Sequence, residues 1–191
     1  MGEDRVQVRA RGISGRRRAL DDALMSVADR LVKFVASHWL LVANVLVFLF
    51  AFLPFLSPWL QSLASEPARW LGDEIFAAYS YTCHQLPQRS WVIFGNQMAY
   101  CQRDAAIYPA MFLSGMIFAL ARERGGGRTP RLGWRGYLPL IAPMVIDGTG
   151  QLFGLWESSW LSRSLTGALF GAATVWLAYP YLQKAVAEFE D

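Results

Sequence analysis

The chain has 191 residues, of which 54% are hydrophobic, 14% aromatic and only 17% charged. Soluble domains carry about a quarter charged residues, so this balance weighs against a soluble helical core and toward a membrane protein. The formal net charge of +3 matters less than where the charges lie, and the chain shows no internal repeat or low-complexity block.

Residues 1–15 are polar and contain arginine and glycine without an apolar period, which reads as a disordered tail. From Arg18 to Ser37, Leu20, Leu24, Val27, Leu31 and Val35 recur at steps of three and four, one face of a helix. Beside a membrane span, such a basic amphipathic helix is expected to lie along an anionic leaflet. Arginines are expected there for topology alone, so Arg16, Arg17 and Arg18 give no reason to invoke nucleic acid.

A helix rising about 1.5 Å per residue needs roughly 20 residues to cross about 30 Å of hydrocarbon. Four apolar stretches approach that length: 38–60, 105–121, 137–155 and 165–182. The first and last meet it easily, and the middle two need their flanks. A cleaved signal peptide competes for the first, with Ser62-Leu63-Ala64 as its site. The long basic region before it and the interrupting Pro54 and Pro58 argue for a retained span. His38 starts this stretch as an interfacial residue.

Between the first two stretches, residues 61–104 form the longest connection. A short helix is expected from Pro67 to Thr82, and Pro87 ends any continuation. SWVIF and QMAYC then flank Gly95-Asn96, the signature of a tight hairpin. With those two residues at the turn, Phe94 pairs with Gln97, Ser90 with Cys101 and Arg89 with Gln102. The hairpin so returns Cys101 toward Cys83.

Charge sets the expected orientation. The segment 122–135 carries Arg122, Arg124, Arg128, Arg131 and Arg135 against Glu123. The first 33 residues are likewise arginine-rich, whereas 61–104 offsets Arg69, Arg89 and Arg103 with Glu66, Asp73, Glu74 and Asp104. Both termini and the 122–135 loop are therefore expected in the cytoplasm, and 61–104 on the outer face. Gly125 to Gly127 lack the sequel and context of a phosphate-binding loop.

The chemistry-bearing residues gather on that outer face. Cys83 and His84 are adjacent, and Cys101 and Asp104 are three apart, sharing a face at the start of the second span. Thiolate, imidazole and carboxylate all ligate zinc or another transition metal. Cysteines outside the cytoplasm also oxidise, and a Cys83–Cys101 bond would close a loop of about 19 residues, stabilising by roughly 3 kcal/mol. Metal site, disulfide and free thiols stay open on this reading.

Asp147 sits near the middle of the third stretch, in line with Gln151, and Arg103 or Arg163 can reach it from the outer end. Buried charges in such helices generally pair. Trp156 and Trp160 suit an interfacial belt, Ser158 or Ser162 can cap the fourth helix, and Gly167 and Gly171 allow close packing. Arg89, Arg103, Asp147, Gln151, Glu157 and Arg163 form an expected polar network, and no catalytic constellation can be assembled from the residue types.

These residues carry a family resemblance. Cys83-His84-Gln85 with Pro87, Arg89 and Ser90, then Gly95, Cys101-x-Arg103 with Ile107-Tyr108, Asp147-Gly148 with Gln151, and Gly154-Leu155-x-Glu157-Ser158 followed by Arg163, Thr166 and Gly167 resemble the prokaryotic membrane family called domain of unknown function 2085. The resemblance covers roughly 80–175. That family's pattern commonly reads Cys-x-Arg-Cys, and the resemblance implies a metal-binding set in which Asp104 replaces a cysteine. It implies no established reaction.

The expectation is an all-α, polytopic membrane helical bundle. It has about four transmembrane helices over 38–183, an N-terminal amphipathic helix within the basic tail 1–37, a short outer-face hairpin and a cytoplasmic tail 184–191. Its partners are membrane lipids and other membrane proteins or copies of itself, not nucleic acid. Two readings of function follow. One is a metal-binding membrane protein using Cys83, His84, Cys101 and Asp104. The other is an accessory subunit of a membrane complex with a Cys83–Cys101 disulfide.

Overall fold

A computed structural model describes residues 21–126 and 129–190; the basic tail 1–20, Gly127 and Arg128 lie outside the described residues. Two compact units divide the described chain, one of residues 21–39 with 186–190 and one of Leu40–Ala185. In the first, residues 21–37 form helix α1, whose residues are almost all exposed. His38 ends it, stacking on Phe34 with ring centroids 4.7 Å apart.

The second unit holds α2 (Trp39–Gln61, from Leu40), α3 (Glu66–Tyr79), a 3₁₀ turn (Pro87–Arg89), β1 (Ser90–Ile93), β2 (Asn96–Cys101), α4 (Asp104–Arg124), α5 (Trp134–Leu152) and most of α6 (Trp160–Glu190). Three helices are long and apolar enough to cross a membrane among the described residues: Trp39–Gln61, Asp104–Arg124 and Trp160–Glu188. The third expected stretch is helical as α5 but is not among them. Pro139, Pro143, three glycines, Asp147, Thr149 and Gln151 dilute its apolar character.

Glycines set the closest approaches. A Cβ at Gly171 would lie 2.3 Å from the Ile107 carbonyl oxygen, and one at Gly167 2.7 Å from that of Arg103. Bare backbone at both positions lets α6 seat directly on the first turns of α4. Gly115 of α4 gives the same room to Asn44 of α2.

Prolines in these helices free carbonyls, and the fold uses them. Pro54 has no N–H to return to Phe50, four residues earlier. The Phe50 carbonyl oxygen instead accepts from the Tyr79 hydroxyl at 3.0 Å and the Tyr100 hydroxyl at 3.0 Å. Pro180 similarly frees the Trp176 carbonyl, which accepts the Leu132 N–H at 3.4 Å and fastens the segment before α5 to α6.

Around the Phe50 carbonyl the core is aromatic. Tyr79 and Tyr100 meet edge to face at 4.9 Å, and Tyr100 stacks on Tyr108 at 5.1 Å. Leu60, Ile75, Met98 and Ala99 complete this cluster, together with Cys83.

The hairpin forms with a different turn from the expected one. Ile93 pairs with Asn96, so Phe94 (φ 52°) and Gly95 (φ 80°) are the central residues, both left-handed as a type I′ turn requires. Ser90 nevertheless faces Cys101, because β2 carries extra residues between the two register points. Those residues, Met98, Ala99 and Tyr100, are completely buried in the aromatic cluster. The register expected at the base of the hairpin therefore holds, and the Phe94–Gln97 pair expected at its tip does not.

Each tyrosine hydroxyl alone can satisfy the Phe50 carbonyl. Tyr79→Phe or Tyr100→Phe should therefore each cost about 1 kcal/mol, and the double variant more than their sum, because the last one removed leaves a buried carbonyl unpaired. Thermal unfolding of the detergent-purified variants measures this.

Candidate functional site

The end of α3 delivers Cys83. Its N–H donates to the Tyr79 carbonyl at 3.0 Å, so the tyrosine anchored on Phe50 also holds this cysteine. Gln85 follows in the left-handed region at φ 46°, a conformation uncommon for a non-glycine residue. Its side-chain amide donates to the carbonyls of Phe76 at 2.7 Å and Ala99 at 3.0 Å, and its own carbonyl accepts from Gln97 at 2.6 Å. This clasp buries Cys83 and leaves His84 exposed.

β2 delivers Cys101 directly after Tyr100. The Cys101 N–H donates to Cys83 Sγ at 3.1 Å. Cys101 Sγ stands 3.3 Å from Asp104 Oδ2, within reach for a thiol donor. Ligand atoms of Cys83, Cys101 and Asp104 all lie within 4.8 Å of one another. Both cysteines are free thiols in the structure. The hydrogen bond to Cys101, then burial, then Asp104 push the Cys83 thiol far above its ordinary value. A metal bound there would displace the thiol proton of Cys83.

His84 was expected among the ligands, yet its ring is not part of that close group. Adjacent side chains diverge at the Cys83–Gln85 turn. His84 does line the same cavity, a space of about 400 Å³ shared by Cys83, Cys101 and Asp104 with Arg89, Arg103, Arg163 and Gln151.

Behind the cavity, Asp147 of α5 is buried. Of its two expected partners, Arg103 makes the ion pair, through Nη2 to Oδ2. Ser162 donates to the other carboxylate oxygen at 2.8 Å. Ser162 is therefore not the cap of α6; Ser159 Oγ accepts the Ser162 N–H at 3.1 Å in that role. Arg163, only 5% exposed, donates from Nη1 to Gln102 Oε1 at 2.9 Å. Glu157 reaches Arg163 only at 4.0 Å, and its side chain is 75% exposed, so solvent screens the contact.

The chain after α5 turns through a glycine C-cap. Gly154 has φ 68°, and Leu155 N–H donates to the Gly150 carbonyl at 2.9 Å. Trp156 lies where a Cβ on Gly150 would be, so the glycine lets this ring fold back on α5.

Four buried donors on the cavity residues have no acceptor: Nε of Arg89, Arg103 and Arg163, and Nε2 of Gln151. An unpaired buried donor costs about 1–3 kcal/mol, so four on one cavity call for an explanation. Gln85 and Gln102 are the positioning residues that sequence reasoning left without a role, and Ser162 the one it gave another role. Gln102 had one available signal, its place between Cys101 and Arg103.

Residues 83–177 match a family described as predicted membrane protein, DUF2085. The chain is 36% identical over 128 residues to an uncharacterized protein of Methanocaldococcus jannaschii, covering 66% of this chain and 81% of that one. It is 32% identical over 89 residues to an uncharacterized protein of Methanothermobacter thermautotrophicus, covering 47% and 77%. No solved structure matches.

Replacing Asp147 by Asn strands Arg103 as a buried charge. The variant should lose about 3–5 kcal/mol of stability, and adding Arg103→Met should recover most of it. Unfolding of purified protein in detergent provides the comparison.

Proposed function

We propose that this chain, which belongs to the DUF2085 family of predicted membrane proteins, binds a transition metal on Cys83, Cys101 and Asp104. The observation that carries the reading is the convergence of those three ligand atoms within 4.8 Å at the wall of a cavity. Two thiolates and a carboxylate would suit zinc, which commonly takes four ligands. His84, lining that cavity, is the candidate fourth donor. Gln85 orients Cys83, and Arg103, held by Asp147, stands beside Asp104 in sequence.

In this reading α5 is a fourth span, because Arg103 and Ser162 neutralise and bond the one carboxylate that would oppose its insertion. The arginine-rich 122–135 segment and both tails 1–37 and 184–191 face the cytoplasm, which puts the site on the outer face. The second reading, an accessory subunit with a Cys83–Cys101 disulfide, draws on the same closeness of the two sulfurs.

Protein purified without chelator should carry about one metal ion per chain, as structural and catalytic zinc sites do. Cys83→Ser and Cys101→Ser should abolish loading, and Asp104→Asn should weaken it. A metal-free protein whose cysteines react with alkylating reagents only after reduction establishes the disulfide reading instead. For topology, reporter fusions at residue 126 and at the C-terminus should both report the cytoplasm; opposite reports would remove α5 as a span.

A further inference from the structure

The same cavity presents an excess of positive hydrogen-bond donors that neither the metal reading nor the packing accounts for. Arg89, Arg103 and Arg163 come from three separate segments, the 3₁₀ turn, the β2–α4 junction and α6, and all line it. Each has a buried Nε–H without an acceptor, and so does the Gln151 amide. Arg103 is answered from behind by Asp147. Arg163 donates to the neutral Gln102, and its nearest carboxylate is the exposed Glu157 at 4.0 Å. Arg89 makes no side-chain hydrogen bond or ion pair among the described residues.

Like charges gathered at one cavity repel, and buried guanidinium groups without carboxylates are found where an anion is received. The geometry points to a phosphate group as that anion, held by Arg89, Arg103 and Arg163 with Gln151. A monocarboxylate offers two coplanar oxygens, which one bidentate arginine takes up. Donors converging from several segments suit a tetrahedral oxyanion with more acceptor oxygens and a charge near two. The cavity of about 400 Å³ exceeds what a bare phosphate fills and is in the range that takes a small organic ligand. It is too small for a nucleic-acid strand. Its apolar lining, Leu86 and Leu152, suits a phosphate attached to a carbon skeleton. The phosphate therefore belongs to a phosphorylated small molecule or to a lipid headgroup. The inference extends the reading of this cavity as a ligand site but does not require the metal, since the arginines that would hold the phosphate are not among the residues that would hold the metal.

Calorimetric titration of the full chain in a maltoside detergent free of phosphate tests it, using inorganic phosphate, short-chain phosphatidic acid and, as control, short-chain diacylglycerol. Phosphate or phosphatidic acid should bind and diacylglycerol should not. Arg89→Gln should weaken binding by about tenfold or more, the loss of one charge-assisted bond, and Arg89→Lys should recover part of it. Arg89 has no side-chain partner to lose, and circular dichroism checks that both variants fold. Binding of phosphatidic acid without binding of inorganic phosphate assigns the site to a lipid headgroup and supports the inference. Parent chain stripped of metal with a chelator should bind phosphate like the untreated chain, so the two readings fail separately. The inference is overturned if neither phosphate compound binds, if Arg89→Gln binds unchanged, or if binding disappears on removal of metal.

Discussion

A proline in an apolar helix leaves one carbonyl without its donor, and in lipid no water can supply another. The Phe50 carbonyl freed by Pro54 is the point on which this structure turns. Its two donors, the Tyr79 and Tyr100 hydroxyls, come from α3 and β2. Satisfying one backbone oxygen thus draws both elements against α2. Tyr79 accepts the Cys83 N–H, and Tyr100 immediately precedes Cys101. The requirement of a span's backbone therefore places the two cysteines together. The Trp176 carbonyl freed by Pro180 repeats the device at α6, where it receives the segment leading into α5.

Much of this was legible along the chain, and the exceptions have physical causes. Three spans show because continuous apolar length is a local property that survives any tertiary arrangement. α5 falls short of that apolar length, and its buried Asp147 is matched by partners far away in sequence, Arg103 and Ser162, whose contribution no local window contains. The hairpin base was readable from spacing, but the tip was not. Burial of Met98, Ala99 and Tyr100 outweighed the turn preference of Gly95-Asn96, and the bulge absorbed the difference. The residue types at the site also stood out, since cysteine, histidine and aspartate are rare beside apolar runs. Their division was hidden. Cys83 turns inward and His84 outward because Gln85 adopts a left-handed conformation clasped by three hydrogen bonds, none of which a motif can announce.

The two kinds of charged groups at the site behave differently, and the contrast separates packing from function. Asp147 and Arg103 form a closed arrangement in which both carboxylate oxygens are bonded, joining α4, α5 and α6. A network that exists only to hold helices together is expected to end there, since each further buried charge adds desolvation cost without a partner. Arg163 does part of that work through Gln102, tying α6 to the chain entering α4.

Arg89 does not. It stands on a short turn between α3 and the hairpin, its guanidinium bonded to no side chain or backbone oxygen among the described residues, with its Nε–H buried. The same cavity is lined by the sulfur and carboxylate groups of Cys83, Cys101 and Asp104, and the hydrogen bond to Cys101 together with burial holds the Cys83 thiol protonated. One set of lining side chains can take a cation and the other an anion. A metal held by two thiolates and a carboxylate carries net negative charge, which the arginines oppose, and a phosphate on the arginines relieves their mutual repulsion. The two occupants are electrostatically compatible at one site, which a purely structural cluster with internally balanced charges would have no cause to be.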